Sequence, residues 1–348
     1  MRHRIFTTSE RAWAGMLFGI SRAEKSIYLE MYIFEDDIVG HDFLVELRKA
    51  AERGLKVVVI LDILGGLGLV GSKTIKDLYQ AGAEVLFYSF LLRRTHRKVL
   101  IIDEKMAFVG GVNIKKSFAS WKDLQIRVSG RVVRHVVYSF VRIYVECGGK
   151  DAAIIQEIPK KSVLRITKSW FVERGIGKRG ELMNEYYKKR IDAASKSIVI
   201  VTPYLLPPRW LLAHIHQALI RGVVVEILMP HATDHRFANR LNRSYASFLT
   251  SLGVRCYFAS GTMNHAKAML IDDKEGIIGS QNMDILSFGL NTEAGVFFDD
   301  VKIVKNLEEI IYEWKAGSEI FVYGDKKFHW YDIALAFTLR VSGLLPLW

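Results

Sequence analysis

The stretch THRKVLIIDEKMAFVGGVN, residues 95–113, sets a histidine and a lysine, His96 and Lys98, at the head of an apolar run that Asp103 closes. The run has the length and aliphatic content of a buried strand, so two cationic side chains stand at the mouth of a core. Either the strand end is basic surface, or an anion belongs there. The rest of the chain bears on the choice. NHAKAMLIDDKEGIIGSQN (264–282) repeats the stretch 169 residues later: His265, Lys267 and Asp272 fall where His96, Lys98 and Asp103 fell. Gly279, Ser280 and Asn282 match Gly110, Gly111 and Asn113, so both copies read HxKxxxxDxxxxxxG(G/S)xN.

Working outward, other segments recur in the same order. KSIYLEMYIFEDD (25–37) parallels KSIVIVTPYLLPP (196–208), ERGLKVVVILD (52–62) parallels IRGVVVEILMP (220–230), and AGAEVLFY (81–88) parallels LGVRCYF (252–258). The offsets stay between 168 and 172, which describes a duplicated domain. SIYLEMYIF and VVVILD are short, apolar and β-branched, as buried strands are. HDFLVELRKAAERG between them has helical spacing and stops at Gly54, and LLAHIHQALIRG stops likewise at Gly222. Alternating strands and helices predict an α/β fold of two tandem domains, each a mostly buried mixed sheet flanked by helices. The expected limits are 1–160 and 161–327, with an apolar tail at 328–348.

The chain has 348 residues, enough for two cores of ordinary size. Lys and Arg number 49 against 37 Asp and Glu, and the resulting +12 favours an anionic partner without choosing among nucleic acid, membrane and phosphorylated substrate. Cys147 and Cys256 have no CxxC neighbour, so a metal knuckle is not indicated and reduced core thiols are expected. The N-terminus does not read as a signal peptide, and no uncharged run reaches the roughly 18–20 residues needed to span a bilayer. FHWYDIALAFTLRVSGLLPLW (328–348) is too interrupted to span but suits a membrane-interface helix, the other reading being a terminal helix packed on the core.

Residues two apart on a strand share a face, so His96 and Lys98 point together, as do His265 and Lys267. Burying such groups unpartnered would cost several kcal/mol, roughly. Two histidines, two lysines and the amides of Asn113 and Asn282 would seat one phosphate, with a hydroxyl from Ser280 on one side only because Gly111 stands opposite. One neutral histidine attacks phosphorus while the other, protonated, serves the leaving oxygen; the lysines and asparagines neutralise charge on the other oxygens. This chemistry needs no metal or other cofactor. Asp103 and Asp272 complete the motif of His96, Lys98, Asp103, His265, Lys267 and Asp272, but they lie five residues past the lysines on the opposite parity. Their expected part is structural, holding the turn.

The paired motif resembles the phospholipase D superfamily. YIFEDDIVG, AAERGLKVVVILDILGG, HRKVLIIDEKMAFVGGVNI, TPYLLPP and GSQNMDILSFGLNTE resemble its bacterial cardiolipin synthase branch over most of residues 20–320. The resemblance implies two pseudo-two-fold-related domains with the active site at their interface and a phosphohistidine intermediate there, His96 as nucleophile and His265 as general acid, though equivalent motifs leave their order open. It also implies an acid behind each histidine. In the second half this matches Glu293, 28 residues after His265; in the first it matches Asp123, 27 after His96. The implied reaction makes cardiolipin from two phosphatidylglycerols with release of glycerol. A phospholipase D-type hydrolase is the alternative, and a superfamily nuclease a weaker one. Anionic phospholipid and a membrane surface are the expected partners rather than nucleic acid. The expected location is peripheral, on the cytoplasmic face of a bacterial cell membrane.

Several features carry less. GGLGLVG (65–71) lacks the spacing of a nucleotide loop and reads as a mobile loop at the sheet's ligand end. His214 and His216 read as ordinary histidines without an acidic partner. His231 and His235, the basic LLRRTHRK (91–98), and Glu30 with Tyr32 are placed near the same end.

Overall fold

A computed structural model describes residues 3–90, 93–156, 169–175 and 179–322. The apolar tail and the boundary expected at 160/161 lie outside the described residues.

In the first half the strands are β1 (His3–Thr8), β2 (Ser26–Met31), β3 (Lys56–Asp62), β4 (Glu84–Tyr88), β5 (Lys98–Ile102), β6 (Met106–Gly110) and β7 (Lys122–Ser129). Helices α1 (Ser9–Ser21), α2 (Ile38–Glu52), α3 (Lys73–Gln80), α4 (Arg131–Glu146) and α5 (Ala152–Ile155) accompany them. The second half has β8 (Ser169–Arg174), β9 (Ser197–Val201), β10 (Leu205–Leu206), β11 (Val224–Pro230), β12 (Arg255–Ala259) and β13 (Ala268–Ile271). It continues with β14 (Glu275–Gly279), β15 (Met283–Asp284), β16 (Glu293–Phe298) and β17 (Ser318–Ile320). Its helices are α6 (Arg179–Ala193), α7 (Arg209–Ile220), α8 (Arg236–Ser251), α9 (Ile285–Gly289) and α10 (Val301–Ala316).

The sheets run β1-β7-β6-β5-β2-β3-β4 and β8-β16-β14-β13-β9-β11-β12-β17, so the duplication is repeated strand for strand, with β17 added at one edge. β2, β3 and β4 are parallel, whereas β5, β6, β7 and β1 continue the sheet antiparallel. The predicted helices form, slightly extended at their starts. Asp37 caps α2 by accepting from the N–H groups of Val39 and Gly40, both at 3.0 Å. Gly54 and Gly222, at φ of 84° and 82°, end α2 and α7 in the left-handed conformation that glycine adopts without strain. GGLGLVG contains a short 3₁₀ turn over Leu67–Leu69.

Each sheet buries one face under its own helices: α1 and α2 in the first half, α6, α7 and α8 in the second. The other faces join. Val99, Ile101, Val109 and Ile126 share one apolar core with Ala266, Ala268, Ile278 and Val296, closed by α4 and α10. Arg97, fully buried in this region, ion-pairs with Glu30 at 3.1 Å and with Glu173 of β8 at 3.7 Å. Its counterpart in the repeat is Ala266, so the two halves fill this position differently.

Candidate active site

Register places the site. Met31 pairs with Lys98, and Leu61 with both Met31 and Phe87, so the ends of β2, β3 and β4 and the start of β5 share one edge of the sheet. Val201 pairs with Ala268 and Leu228 at the corresponding edge of the second sheet. The segments entering β5 and β13 leave their own sheets and bridge to the other half. The Thr292 N–H donates to Arg94 O at 3.0 Å and the His96 N–H to Thr292 O at 3.1 Å. Symmetrically, the Lys122 N–H donates to Met263 O at 2.9 Å and the His265 N–H to Lys122 O at 2.7 Å.

Thr292 and Lys122 are the residues immediately before Glu293 and Asp123, so these bridges decide which acid meets which histidine. His96 Nδ1 lies 3.0 and 3.1 Å from the two oxygens of Glu293, and His265 Nδ1 lies 2.8 Å from Asp123 Oδ2. The pairing within each half suggested by spacing is therefore corrected: the acids cross, each serving the histidine of the other half. With Nδ1 facing a carboxylate, Nδ1 carries the proton and Nε2 offers its lone pair to the cavity.

The lysines are fully buried and each donates Nζ to the carbonyl of the histidine two residues before it. Burial, opposed by Glu293, drives Lys98 well below the ordinary lysine range. Burial, opposed by Asp123, holds Lys267 at about 8. Burial and the nearby lysines also lower both histidines: His265 falls to about 4, and His96 falls despite the Glu293 carboxylate. Burial pushes Glu293 up, but His96, Lys98 and Ser280 outweigh it and hold the group ionised. At neutral pH the imidazoles are therefore neutral, Glu293 is charged and Lys267 is close to giving up its proton.

Ser280 does not face the phosphate seat. Its hydroxyl donates to Glu293 and accepts from the Ala294 N–H at 3.1 Å, so it braces the acid behind His96 and corrects the substrate-contact expectation. In the first half the acid is shorter and comes closer: a Cβ at Gly111 would stand 2.3 Å from Asp123 Oδ1. Glycine there makes room for aspartate, as serine makes a partner for glutamate. The asparagines differ as well. Asn113 Oδ1 accepts from the Ile33 N–H at 3.2 Å and has no described partner for Nδ2, whereas Asn282 hydrogen-bonds to Asp284.

Asp103 and Asp272 face the start of β2 and β9 instead of the histidines. Asp103 accepts the N–H groups of Glu24, Lys25 and Ser26 at 2.7–3.1 Å, and Asp272 those of Ser195, Lys196 and Ser197 at 2.7–3.2 Å. Both open hairpin turns at φ near 50°, which aspartate tolerates. Both carboxylates thus hold the turn between the two strands of their hairpin.

Aromatic rings complete the walls. Tyr32 lies 4.8 Å from the His96 ring, with Lys98 Nζ 4.8 Å above its own. Trp121 and Tyr204 lie 5.2 and 6.1 Å from the His265 ring. Tyr32 and Tyr204 are one position out of register in the repeat, where Tyr32 aligns with Pro203 and Tyr204 with Ile33, yet each lies against the histidine of its own half. Buried Asp284, its carboxyl raised chiefly by desolvation, lies near His96 and Glu293, where the first copy has Lys115. That difference was legible two residues past each asparagine. His235 sits beside Asp234 at the rim, whereas Glu30 belongs to the Arg97 cluster. His214 is 2.5 Å from Asp192, correcting the expectation that it has no acidic partner. Cys147 and Cys256 are unpaired. Among the described residues no group of three or more His, Cys, Asp or Glu is arranged to hold a metal.

Two stretches, 16–142 and 187–314, match the family profile described as "Cardiolipin synthase, PLD-like domain". The chain belongs to this family. Both matches contain a phospholipase D-like half of the duplication. A cardiolipin synthase of Clostridium perfringens is 31% identical over 320 residues, spanning 86% of this chain and 67% of the relative. The major cardiolipin synthase of Bacillus subtilis is 30% identical, spanning 92% and 70%. In fold the chain resembles the phosphatidylserine synthase of Haemophilus influenzae, with a TM-score of 0.78 at 16% identity over 98% and 94% of the two chains.

Proposed function

We propose that the protein is a phosphatidyl transferase that makes cardiolipin from two phosphatidylglycerols through a phosphohistidine. The observation that carries this reading is the crossed pair of acid–histidine contacts around one shared site, in a chain about 30% identical to cardiolipin synthases over most of its length. His96 Nε2 attacks the phosphorus of the first phosphatidylglycerol, and the bond from phosphorus to the glycerol oxygen breaks. His265 delivers its proton to that oxygen. Neutral His265 then takes the proton of a hydroxyl on the second phosphatidylglycerol, whose oxygen displaces His96 Nε2 from phosphorus. Lys98, Lys267 and the Asn113 amide offset charge on the non-bridging oxygens.

His265 is held neutral by burial and the neighbouring lysines, so it takes its proton from water as the phosphodiester binds. A phosphodiester anion between Lys98 and Lys267 offsets the positive field that disfavours imidazolium. The first half donates the nucleophile and the acid that orients the leaving-group histidine; the second donates the converse pair. We place the enzyme at a bacterial membrane surface, on its cytoplasmic face. No described helix is long and apolar enough to cross the membrane.

The test is incubation with labelled phosphatidylglycerol in vesicles, separating cardiolipin from phosphatidic acid. Cardiolipin with free glycerol is expected. Phosphatidic acid alone would make the protein a hydrolase, and inert lipid with cleaved DNA would defeat both lipid readings.

A further inference from the structure

Among the described residues, the edge that carries His96 also exposes a set of apolar side chains. After β3 the chain exposes Leu64, Leu67 and Val70, with Leu67 62% exposed. Asp62 ties this loop to the site: one oxygen accepts the Leu64 N–H at 3.0 Å, the other the Thr95 N–H at 2.9 Å. The Ile63 N–H donates to Tyr88 O, and the Tyr88 ring packs at 4.8 Å on exposed Phe90. Phe90 O accepts from the Arg93 N–H, and Arg94 O accepts from Thr292 of the second half. Next along the chain lie exposed Leu290 and Leu286, joined by the Leu290 N–H to Leu286 O bond. A continuous path of contacts thus links the loop, Phe90, the two arginines and α9, crossing the domain interface beside His96.

Single exposed leucines are ordinary on any protein. This set is different in being tied by backbone bonds to the segment that carries His96, with Arg93 and Arg94 between its members. The repeat has Thr262 and Met263 where these arginines stand, so the charge belongs to one copy and not to the motif. Apolar side chains with cations beside them match an interface of acyl chains below phosphates.

We propose that this ridge docks on a bilayer containing anionic phospholipid, with Leu64, Leu67, Phe90, Leu286 and Leu290 entering the surface and Arg93 and Arg94 meeting lipid phosphates. The chain then sits with its phosphate seat facing the lipid, and a headgroup reaches His96 without leaving the bilayer. This rests on the lipid reading of the site and adds the orientation from which that site works.

The experiment uses hydrogen exchange and vesicle co-sedimentation of the full chain with phosphatidylglycerol–phosphatidylcholine vesicles. Residues 63–71 and 285–290 should exchange more slowly on vesicles, while α10 stays unchanged. Leu67→Glu and Leu290→Glu should each weaken vesicle binding about tenfold and raise the apparent KM for vesicle substrate. Val301→Glu, at an exposed position of α10, should do neither. All three should turn over monomeric short-chain phosphatidylglycerol like the parent, which also shows that they fold. Unprotected ridge segments on vesicles, or binding within twofold of the parent in both ridge variants, would overturn the proposal. So would protection that grows with protein concentration without lipid, which would assign the ridge to a second copy. Failure of the parent on short-chain lipid would instead defeat the functional reading itself.

Discussion

The two histidines look alike in sequence, yet their surroundings separate their roles. Glu293, braced by Ser280, stands behind His96; Asp123, fitted against Gly111, stands behind His265. Glu293→Gln should cost on the order of 10²–10⁴-fold in kcat, as loss of a tautomer-fixing acid does elsewhere. Asp123→Asn and His265→Ala should also be crippled on phosphatidylglycerol. A phosphatidyl ester of p-nitrophenol, which leaves without a proton, separates them. It should restore the release step of Asp123→Asn and His265→Ala but leave Glu293→Gln and His96→Ala inactive; rescue of the latter pair would reverse the assignment.

Charge gives a second residue-scale expectation. Lys267 in the free site loses its proton as pH rises through about 8, so kcat/KM should fall on that alkaline limb. Bound phosphate favours the charged amine, which places the corresponding limb of kcat at higher pH. A kcat/KM profile flat to pH 10 would contradict a charged Lys267 in substrate capture. At this scale the motif showed which residues gather, but not how they pair. Separations of 27 and 28 residues are silent about which side of an interface an acid reaches.

Among the elements, the turns after β5 and β13 carry the most specific construction. Asp103→Ala removes three backbone N–H bonds and places alanine at φ 52°. Unsatisfied donors and the strained turn should together cost about 2–4 kcal/mol. Thermal melting should drop, while kcat of the folded fraction stays within a factor of two or three; a large kcat loss at unchanged stability would return Asp103 to the chemistry. Strands and helices with clean apolar periods were readable in advance, down to the glycines that end α2 and α7. β1 and β8 were not, because HRIFTT and SWFVER mix polar and apolar residues as edge strands do.

On the scale of the molecule, the halves share one core and one ion cluster rather than touching at a polar seam. A calorimetric scan should therefore show one transition, with van't Hoff and calorimetric enthalpies in agreement. Arg97→Ala, which leaves buried Glu30 without its ion-pair partner, should lower that transition by about 3–5 kcal/mol without splitting it. Two resolved transitions would mean the halves unfold independently. The duplication was legible because copying preserved the motif offsets. The shared core was not, since inward-facing residues such as Val99 and Ala266 look like those of any buried strand.

The crossed pairing also bears on the protein while it is being made. The first half leaves the ribosome carrying a complete His96–Lys98 motif before the second is made. The carboxylate that sets its tautomer lies 197 residues downstream. Until that length has been synthesised and folded against it, His96 is unoriented and has no proton-donating counterpart. Chains cut before Glu293 should therefore show no turnover even where the first half is present, and turnover by such a chain would contradict the crossed pairing.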